Sequence, residues 1–557
     1  MSKPFFVTTA IDYTNAPPHI GHAYEKILAD VLARYHRLNG EDVYFLTGVD
    51  QHGQKVQQSA ARDGVPPQAF VDVLSMKFSE LWKRLDVQFD GWAATTDSLH
   101  KECVREILQA LFDAGEIYSA PYKGFYSERQ EQFLTDKDRE ADGTFGPQWG
   151  KVEELEETNW YFRLTKYKDW LLAFIDNTPG LVTPGYRQTE LRNAAAKIEG
   201  DLSISRPKSR LSWGIEIPFD AECVTFVWFD ALVNYISFAG YKQAVANGKL
   251  MPSFPNAPKP GCVWPALHII GKDIIIPAHG IYWLCMLKAM GFEDVAMPRL
   301  LVHGYVNIGG EKMSKSLGNI KDPNSVADGI AAGIRAGFAK QNEAAAKKGK
   351  PVTQEDEISA FADRCGPDAL RYYLMRDCSV GGDMDFADDR LFSRYATELG
   401  NGVGNLLNRS LNMALKYREG RLVRQAVSPG PAPDAFVSAY REAMDEHRVQ
   451  AALEAAVQYA TACNQFIETE KPFSLAADPA QGDKLDAVLY TLAENLRIIA
   501  ILLSPVVPRS AAEIFAQLGV TSAPSLSDTQ WGGLQDGHQL GNPTPLFPRI
   551  ESVPATS

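Results

Sequence analysis

Long apolar runs are missing from this sequence. The most hydrophobic stretch, "NLRIIAILLSPVVP", meets charge or proline well before the ~20 residues that a membrane-spanning helix needs, so no membrane span is expected. The opening "MSKPFFVTTA" has neither the apolar run nor the small-residue cleavage site of a secretory leader, and a cytoplasmic location is the expectation. Cysteine is sparse as well. The seven thiols, at 103, 223, 262, 285, 365, 378 and 463, are odd in number and include no CxxC, which argues against both a disulfide framework and a thiolate zinc site. Positive charge is in deficit, with a formal net charge of −13. Net charge governs solubility and long-range steering and says nothing of local patches, so nucleic acid stays open as a partner. No repeat of solenoid period is present.

What is present fits a multidomain globular protein. Hydrophobic residues make up 45% and charged residues 22% of 557 positions, enough for a sizeable core and for three or four domains of roughly 100 to 200 residues.

Strand and helix alternate at the start. "FFVTTA" reads as a buried strand, "DYTNAPPHIG" as a turn, and "HAYEKILADVLARYHRLNG" as a helix with Tyr24, Ile27, Leu28, Val31, Leu32 and Tyr35 on one face and a stop at Gly40. "DVYFLTGVD" follows as a second buried strand, which makes a βαβ unit and predicts a parallel sheet. Residues 116–205 turn acidic, aromatic and turn-rich, as an insertion would. "FVWFDALVNYI", "ALHIIGKDIII" and "RLLVHGYV" then read as short hydrophobic strands that complete the sheet. An alanine-rich and lysine-rich stretch over 329–362 is expected to be a helical excursion or a flexible insert. From 386 onward the pattern is helical with short connections, a bundle, and the last forty residues read as loop with "GNPTPLFPRIE" extended. The expected parts are 1–115 and 206–325 as two halves of a Rossmann-type α/β catalytic domain, 116–205 as a connective insertion, 326–385 as a stem-contact linker, 386–545 as an all-α helical bundle, and 546–557 as a tail.

Two constellations carry chemistry. His19 and His22 flank Gly21 where the first strand gives way to a helix, the place where open α/β sheets bind ligands and free backbone N–H groups favour phosphate. Three readings compete there: a nucleotide cradle, a metal pair that would recruit His52 and Asp50, and satisfied turn histidines. Gly21 favours the nucleotide, because a residue without Cβ lets a ring or ribose approach the backbone. The second constellation is "GGEKMSKSLGN", a glycine-flanked loop that can bring Lys312 and Lys315 onto a polyphosphate.

With "HIGH" at His19 to His22 and "KMSKS" at Lys312 to Ser316, the sequence resembles the class I aminoacyl-tRNA synthetases. "TTAIDYTNAPPHIGHAY", "LTGVDQHGQKV", "SWGIEIPFD", "FVWFDALVNYI" and "IGKDI" narrow the resemblance to methionyl-tRNA synthetase, over most of the chain apart from 329–362 and the final tail. The resemblance implies two-step chemistry: methionine attacks the α-phosphorus of Mg·ATP and expels pyrophosphate, and the terminal adenosine of tRNA(Met), initiator or elongator, then takes the methionyl group. It implies charge stabilisation by His19, His22, Lys312 and Lys315, with Gly271, Lys272 and Asp273 also at ATP. Trp228, Leu232 and Tyr235, at i, i+4 and i+7 if their segment is helical, match the methionine side-chain pocket together with Ile11, Tyr13 and His279. Asp50 matches the carboxylate that holds the substrate ammonium, and Arg206 its partner. Asn405 and Arg409, at i and i+4, match anticodon readers, with Phe473 where relatives often have tryptophan.

Departures from the family are visible too. Gln51 stands where an acidic residue is usual, "GKDIIIPAHGIYW" is one residue longer than the common form, and 329–362 is either a tRNA-touching arm or a neutral surface insert. Residues 104–222 contain neither cysteine nor histidine, so the zinc knuckle of many relatives cannot be built there and no structural zinc is expected. With no added domain after the bundle, a monomer is expected. The leucine, isoleucine and valine enzymes carry a much larger editing insertion. A tRNA-binding paralogue without chemistry, or a ligase that charges a small amine, is disfavoured by the intact motifs and by the helical bundle.

Overall fold

A computed structural model of the chain describes residues 3–127, 129, 132–134, 138–140, 142–239, 244–246, 249–251, 264–313, 318–522 and 524–550. The central sheet has seven strands: β1 (Pro4–Thr9), β2 (Asp12–Tyr13), β3 (Asp42–Asp50), β4 (Gly91–Ala94), β5 (Val182–Thr183), β6 (Leu267–Gly271) and β7 (Arg299–His303). All its pairings are parallel, in the order β4-β3-β1-β6-β7-β5, with β2 extending the β1 side of β3. β1 connects by a helix to β3 on one side and lies against β6 on the other, so the strand order switches direction between β1 and β6. The crevice at the carboxyl ends of these two strands is where such sheets bind ligands.

The first helix, α1 (Ile20–Leu38), buries Tyr24, Ile27, Leu28, Val31, Leu32 and Tyr35, as the spacing predicts. Each such apolar side chain contributes about 1.5–3 kcal/mol. Gly40 closes it at φ 76°, a conformation that glycine adopts without a Cβ clash. "FVWFDALVNYI" is not a strand, as expected, but a helix, α2 (Val227–Ser237). A short apolar run reads the same for a buried strand and a buried helix, and nine of its eleven residues are buried. "ALHIIGKDIII" is a strand only as far as Gly271; Ile275–Trp283 follow as a π-helical stretch kinked at Ile276 (φ −117°, ψ 121°).

The 116–205 stretch contains an antiparallel sheet built on the long hairpin of Ile117–Ser127 and Val152–Phe162, with Leu202–Ser203 added at its edge. It is not a clean insertion, because Val182–Thr183 leave it to form the edge strand β5 of the central sheet. The stretch at 329–362 is an ordered helical hairpin: α3 (Pro323–Lys347), capped by Asp322, packs on α4 (Glu355–Asp377). Asn342 clamps Thr353 through two hydrogen bonds of 2.8 and 2.9 Å, and Phe338 stacks on Phe361.

Beyond α4 the chain is helical: α5 (Asn405–Arg418), which follows a π-helical turn over Tyr395–Gly404, then α6 (Pro433–Asp445), α7 (Val449–Glu470), α8 (Gly482–Leu503) and α9 (Pro508–Gln517). One apolar cluster runs from α1 through Tyr372 and Leu374 of α4 to Leu496 and Ile499 of α8, and a second covers the other face of the sheet and α2. At the junction, the fully buried Arg371 of α4 donates to Asp30 of α1 at 2.6 Å and to the carbonyls of Leu85, Pro505 and Val506.

Candidate active site

His19 is the N-cap of α1. Its Nδ1 accepts from the Gly21 N–H and the His22 Nδ1 accepts from the His19 N–H, both at 3.1 Å, a reciprocal box made by two imidazoles. A backbone N–H can only donate, so each ring holds a lone pair on Nδ1 and its proton on Nε2. Burial enforces the neutral form: it lowers His19 to about 4, helped by the nearby Lys312, and takes His22 well below the ordinary value. The rings lie 3.8 Å apart. A Cβ on Gly21 would come within 3.0 Å of the His19 ring, so the glycine admits the folded-back histidine as well as any ligand.

Across the switch point, Lys312 Nζ sits 4.0 Å over the Tyr305 ring and 3.4 Å from Asp273. Burial pulls its pKa down, but Asp273 and Tyr305 outweigh that and raise it. Lys272 lies over the same ring at 4.3 Å and pairs with Asp383 at 2.7 Å. Gly271 leaves room for Asp273, whose Oδ1 would stand 2.6 Å from a Cβ there.

Both groups open onto one cleft of about 1300 Å³. Every described residue expected at ATP or methionine lines it, with the exception of Lys272: Ile11, Tyr13, His19, Gly21, His22, Asp50, Arg206, Trp228, Leu232, Tyr235, Gly271, Asp273, His279 and Lys312. Lys315 lies outside the described residues. On the apolar wall, His279 donates from Nδ1 to the Ile274 carbonyl at 3.0 Å, so its Nε2 accepts the Tyr235 hydroxyl at 2.7 Å. Burial holds His279 down at about 4, and the pair is neutral. His279 stands on the π-helical stretch of "GKDIIIPAHGIYW". Asp50 ends β3 and is buried; Arg206 lies 4.4 Å over Phe226 and donates to the Ser205 carbonyl at 2.7 Å.

Gln51 points away from chemistry. Its amide donates to Ser75 Oγ at 2.9 Å and accepts from Thr96 Oγ1 at 2.7 Å, while Ser75 donates to Val71. A carboxylate there could not donate to Ser75, so the neutral residue fits its partners.

Sequence reasoning missed the charged floor. Lys26 of α1 is fully buried and donates to Asp12 at 2.6 Å, Glu25 at 2.8 Å and the Ala10 carbonyl at 2.9 Å. His303 donates to Glu25 at 2.9 Å, and Glu25 faces the cleft. The fold brings Asp12 and His303 to these two helix residues from 14 and 278 positions away. Among the described residues no three of His, Cys, Asp or Glu are placed to share a metal ion, and the Nδ1 atoms of His19 and His22 are taken by backbone N–H groups.

In the helical part, Asn405 is exposed at the start of α5. Arg409, one turn on, pairs with Glu468 of α7 at 2.7 Å. Phe473 follows α7 after Lys471, which ends the helix at φ 47°, and is 53% exposed.

Comparison with known proteins agrees with this geometry. The family model of tRNA synthetases class I (M) matches residues 5–144, 148–335 and 346–411, and that of the anticodon-binding domain of tRNA ligase matches 434–539. Methionine–tRNA ligase of Deinococcus radiodurans is 38% identical over 99% of this chain and 75% of its own, and that of Rhizobium meliloti 34% over 98% of each. The solved structure of Mycobacterium tuberculosis methionyl-tRNA synthetase in complex with methionyl-adenylate superposes with a TM-score of 0.83 at 35% identity, covering 98% of this chain and 100% of that one. The family matches, the full-length relatives and the shared architecture together assign the chain to the class I tRNA synthetases (M), the methionyl family of aminoacyl-tRNA synthetases.

Proposed function

We propose that the chain is a methionine–tRNA ligase that activates L-methionine with ATP and transfers it to the 3′-terminal adenosine of tRNA(Met), initiator and elongator alike. The observation that carries this reading is the convergence of the His19–His22 box, Lys312 and the Trp228, Leu232, Tyr235 and His279 wall on one cleft. The substrate ammonium meets Asp50, beside Arg206, and the thioether lies against the aromatic wall, where sulfur–aromatic contacts contribute about 0.3–1.5 kcal/mol. The neutral Tyr235–His279 pair offers that wall no charge for a competing polar side chain. The Nε2–H groups of His19 and His22 donate to the phosphates of ATP, which brings its Mg2+ with it, while Gly271, Lys272 and Asp273 border the nucleotide. Lys312 exchanges Asp273 for pyrophosphate, joined by Lys315, as the methionine carboxylate attacks and the P–O bond to pyrophosphate breaks. Asn405, Arg409 and Phe473 meet the anticodon.

The proposed parts are 1–115 and 206–325 for the catalytic halves, 116–205 for the connective region apart from Val182–Thr183, which belong to the catalytic sheet, 326–385 for the linker, 386–545 for the anticodon domain and 546–557 for the tail. A cytoplasmic monomer without structural zinc completes the proposal; stoichiometric zinc on elemental analysis would refute its last element. The central test is ATP–pyrophosphate exchange across all twenty amino acids, with methionine alone expected to support it. Exchange with none of them, alongside tRNA binding, would instead mark a binding paralogue.

A further inference from the structure

The ammonium site and the side-chain wall proposed for methionine stand on different elements, so their separation must be fixed by something other than the substrate. Asp50 ends β3, and the chain continues into His52. Trp228, Leu232 and Tyr235 stand on α2, whose first turn carries Asp230, a carboxylate with 0% exposure.

Asp230 joins the two. His52 donates from Nδ1 to Asp230 Oδ2 at 2.6 Å, and His100, on the Ser98–Asp113 helix, donates from Nε2 to Oδ1 at 2.8 Å. His100 Nδ1 in turn meets Ser237 Oγ at 2.8 Å, in the last turn of α2. The helix is therefore fastened at both ends, at its start to the segment that follows Asp50 and at its finish to a third element. Hydrogen bonds to an ionised carboxylate are shorter and about twice as strong as neutral ones. Burial would raise the Asp230 carboxyl, but the two histidines overturn that and hold it at about 2.

We propose that Asp230 is a positioning residue that sets the length of the amino acid the site accepts, because it holds α2 at a fixed distance from the end of β3. The inference rests on the proposed placement of methionine between Asp50 and α2. Nothing in it requires Asp230 to touch the substrate.

The test is methionine-dependent ATP–pyrophosphate exchange with Asp230→Asn, which keeps the side-chain volume but replaces one acceptor oxygen with an amide that cannot accept from histidine. The KM for methionine is expected to rise about tenfold while kcat and the KM for ATP change less than about threefold, and the preference for methionine over ethionine, one methylene longer, to shrink about fivefold. His52→Ala, which removes one of the two donors, is expected to give the same pattern at smaller amplitude, and it carries the test if Asp230→Asn does not fold. An unchanged methionine KM and preference, or equal losses for methionine and ATP, would overturn the proposal. Trp228→Ala separates the two levels: if it too leaves the methionine KM unchanged, the placement of methionine fails, whereas a raised KM there with none in the Asp230 and His52 variants sinks the positioning role alone.

Discussion

With their Nδ1 atoms occupied by backbone N–H groups, His19 and His22 have one donor each to offer, at Nε2. Capping and catalysis can therefore be separated by substitution. His19→Asn keeps an acceptor close to the Nδ1 position and loses the donor; it should slow adenylate formation by about 10²–10³ with little change in thermal midpoint. His19→Ala should lose as much rate and in addition about 0.5–2 kcal/mol of stability, the usual cost of a lost N-cap. Single-turnover rates and thermal melts of the two variants check this, and a fast His19→Asn enzyme would reduce the ring to a cap. These histidines were legible in the sequence because the motif is local: four residues at a strand-to-helix turn. Lys26, Glu25 and Asp230 were not, since the partners that the fold brings to them lie elsewhere along the chain.

Among the elements, α4 depends most on distant partners. Arg371 is its fully buried link to α1 and to the turn between α8 and α9, and it satisfies the equally buried Asp30. Arg371→Ala leaves Asp30 with Arg34 and the Gln88 N–H as partners but strands at least three buried carbonyls, and at about 1–3 kcal/mol for each orphaned acceptor it should cost about 3 kcal/mol or more, read as a lower denaturant midpoint. A shift under 1 kcal/mol, on the order of an exposed ion pair, would mean that water replaces the guanidinium. No feature of "DALRYYLMRD" announces this role, because a helical arginine is usually solvated. The helix α1 was readable from its apolar stripe; α2 was not, because its run is apolar all round and periodicity cannot then distinguish helix from strand.

At the scale of the molecule, the tRNA reading joins two ends that do not share a cleft. Phe473→Ala should weaken aminoacylation, since a base–aromatic stack contributes about 1–3 kcal/mol, and spare ATP–pyrophosphate exchange; equal losses in both assays would contradict an anticodon role. Acid should loosen the whole fold. Six of the ten histidines, at 19, 22, 36, 268, 279 and 447, are held by burial below the ordinary value of 6.5, three of them at about 4. The unfolded chain takes up protons at these positions below that value while the folded chain does not, so their contribution is full above pH 6.5 and is lost as the pH falls toward 4. Asp12, raised by burial to about 7, and Asp368, raised by burial as well, act in the opposite sense but are two groups against six. The thermal midpoint should fall between pH 6.5 and 4, and a flat or rising midpoint across that window would contradict the assignment.

The route of the chain through the connective region has a practical consequence for anyone who would exchange parts between relatives. The backbone enters the antiparallel sheet at Ile117, leaves it at Phe162, supplies β5 to the central sheet, and returns to the antiparallel sheet at Leu202. Cutting at 116 and 205 would remove the edge of the catalytic sheet along with the insert, exposing Leu300 and Leu301 of β7. A chimera needs four seams there, not two: the region is woven into the catalytic domain, and it cannot be lifted out as a cassette.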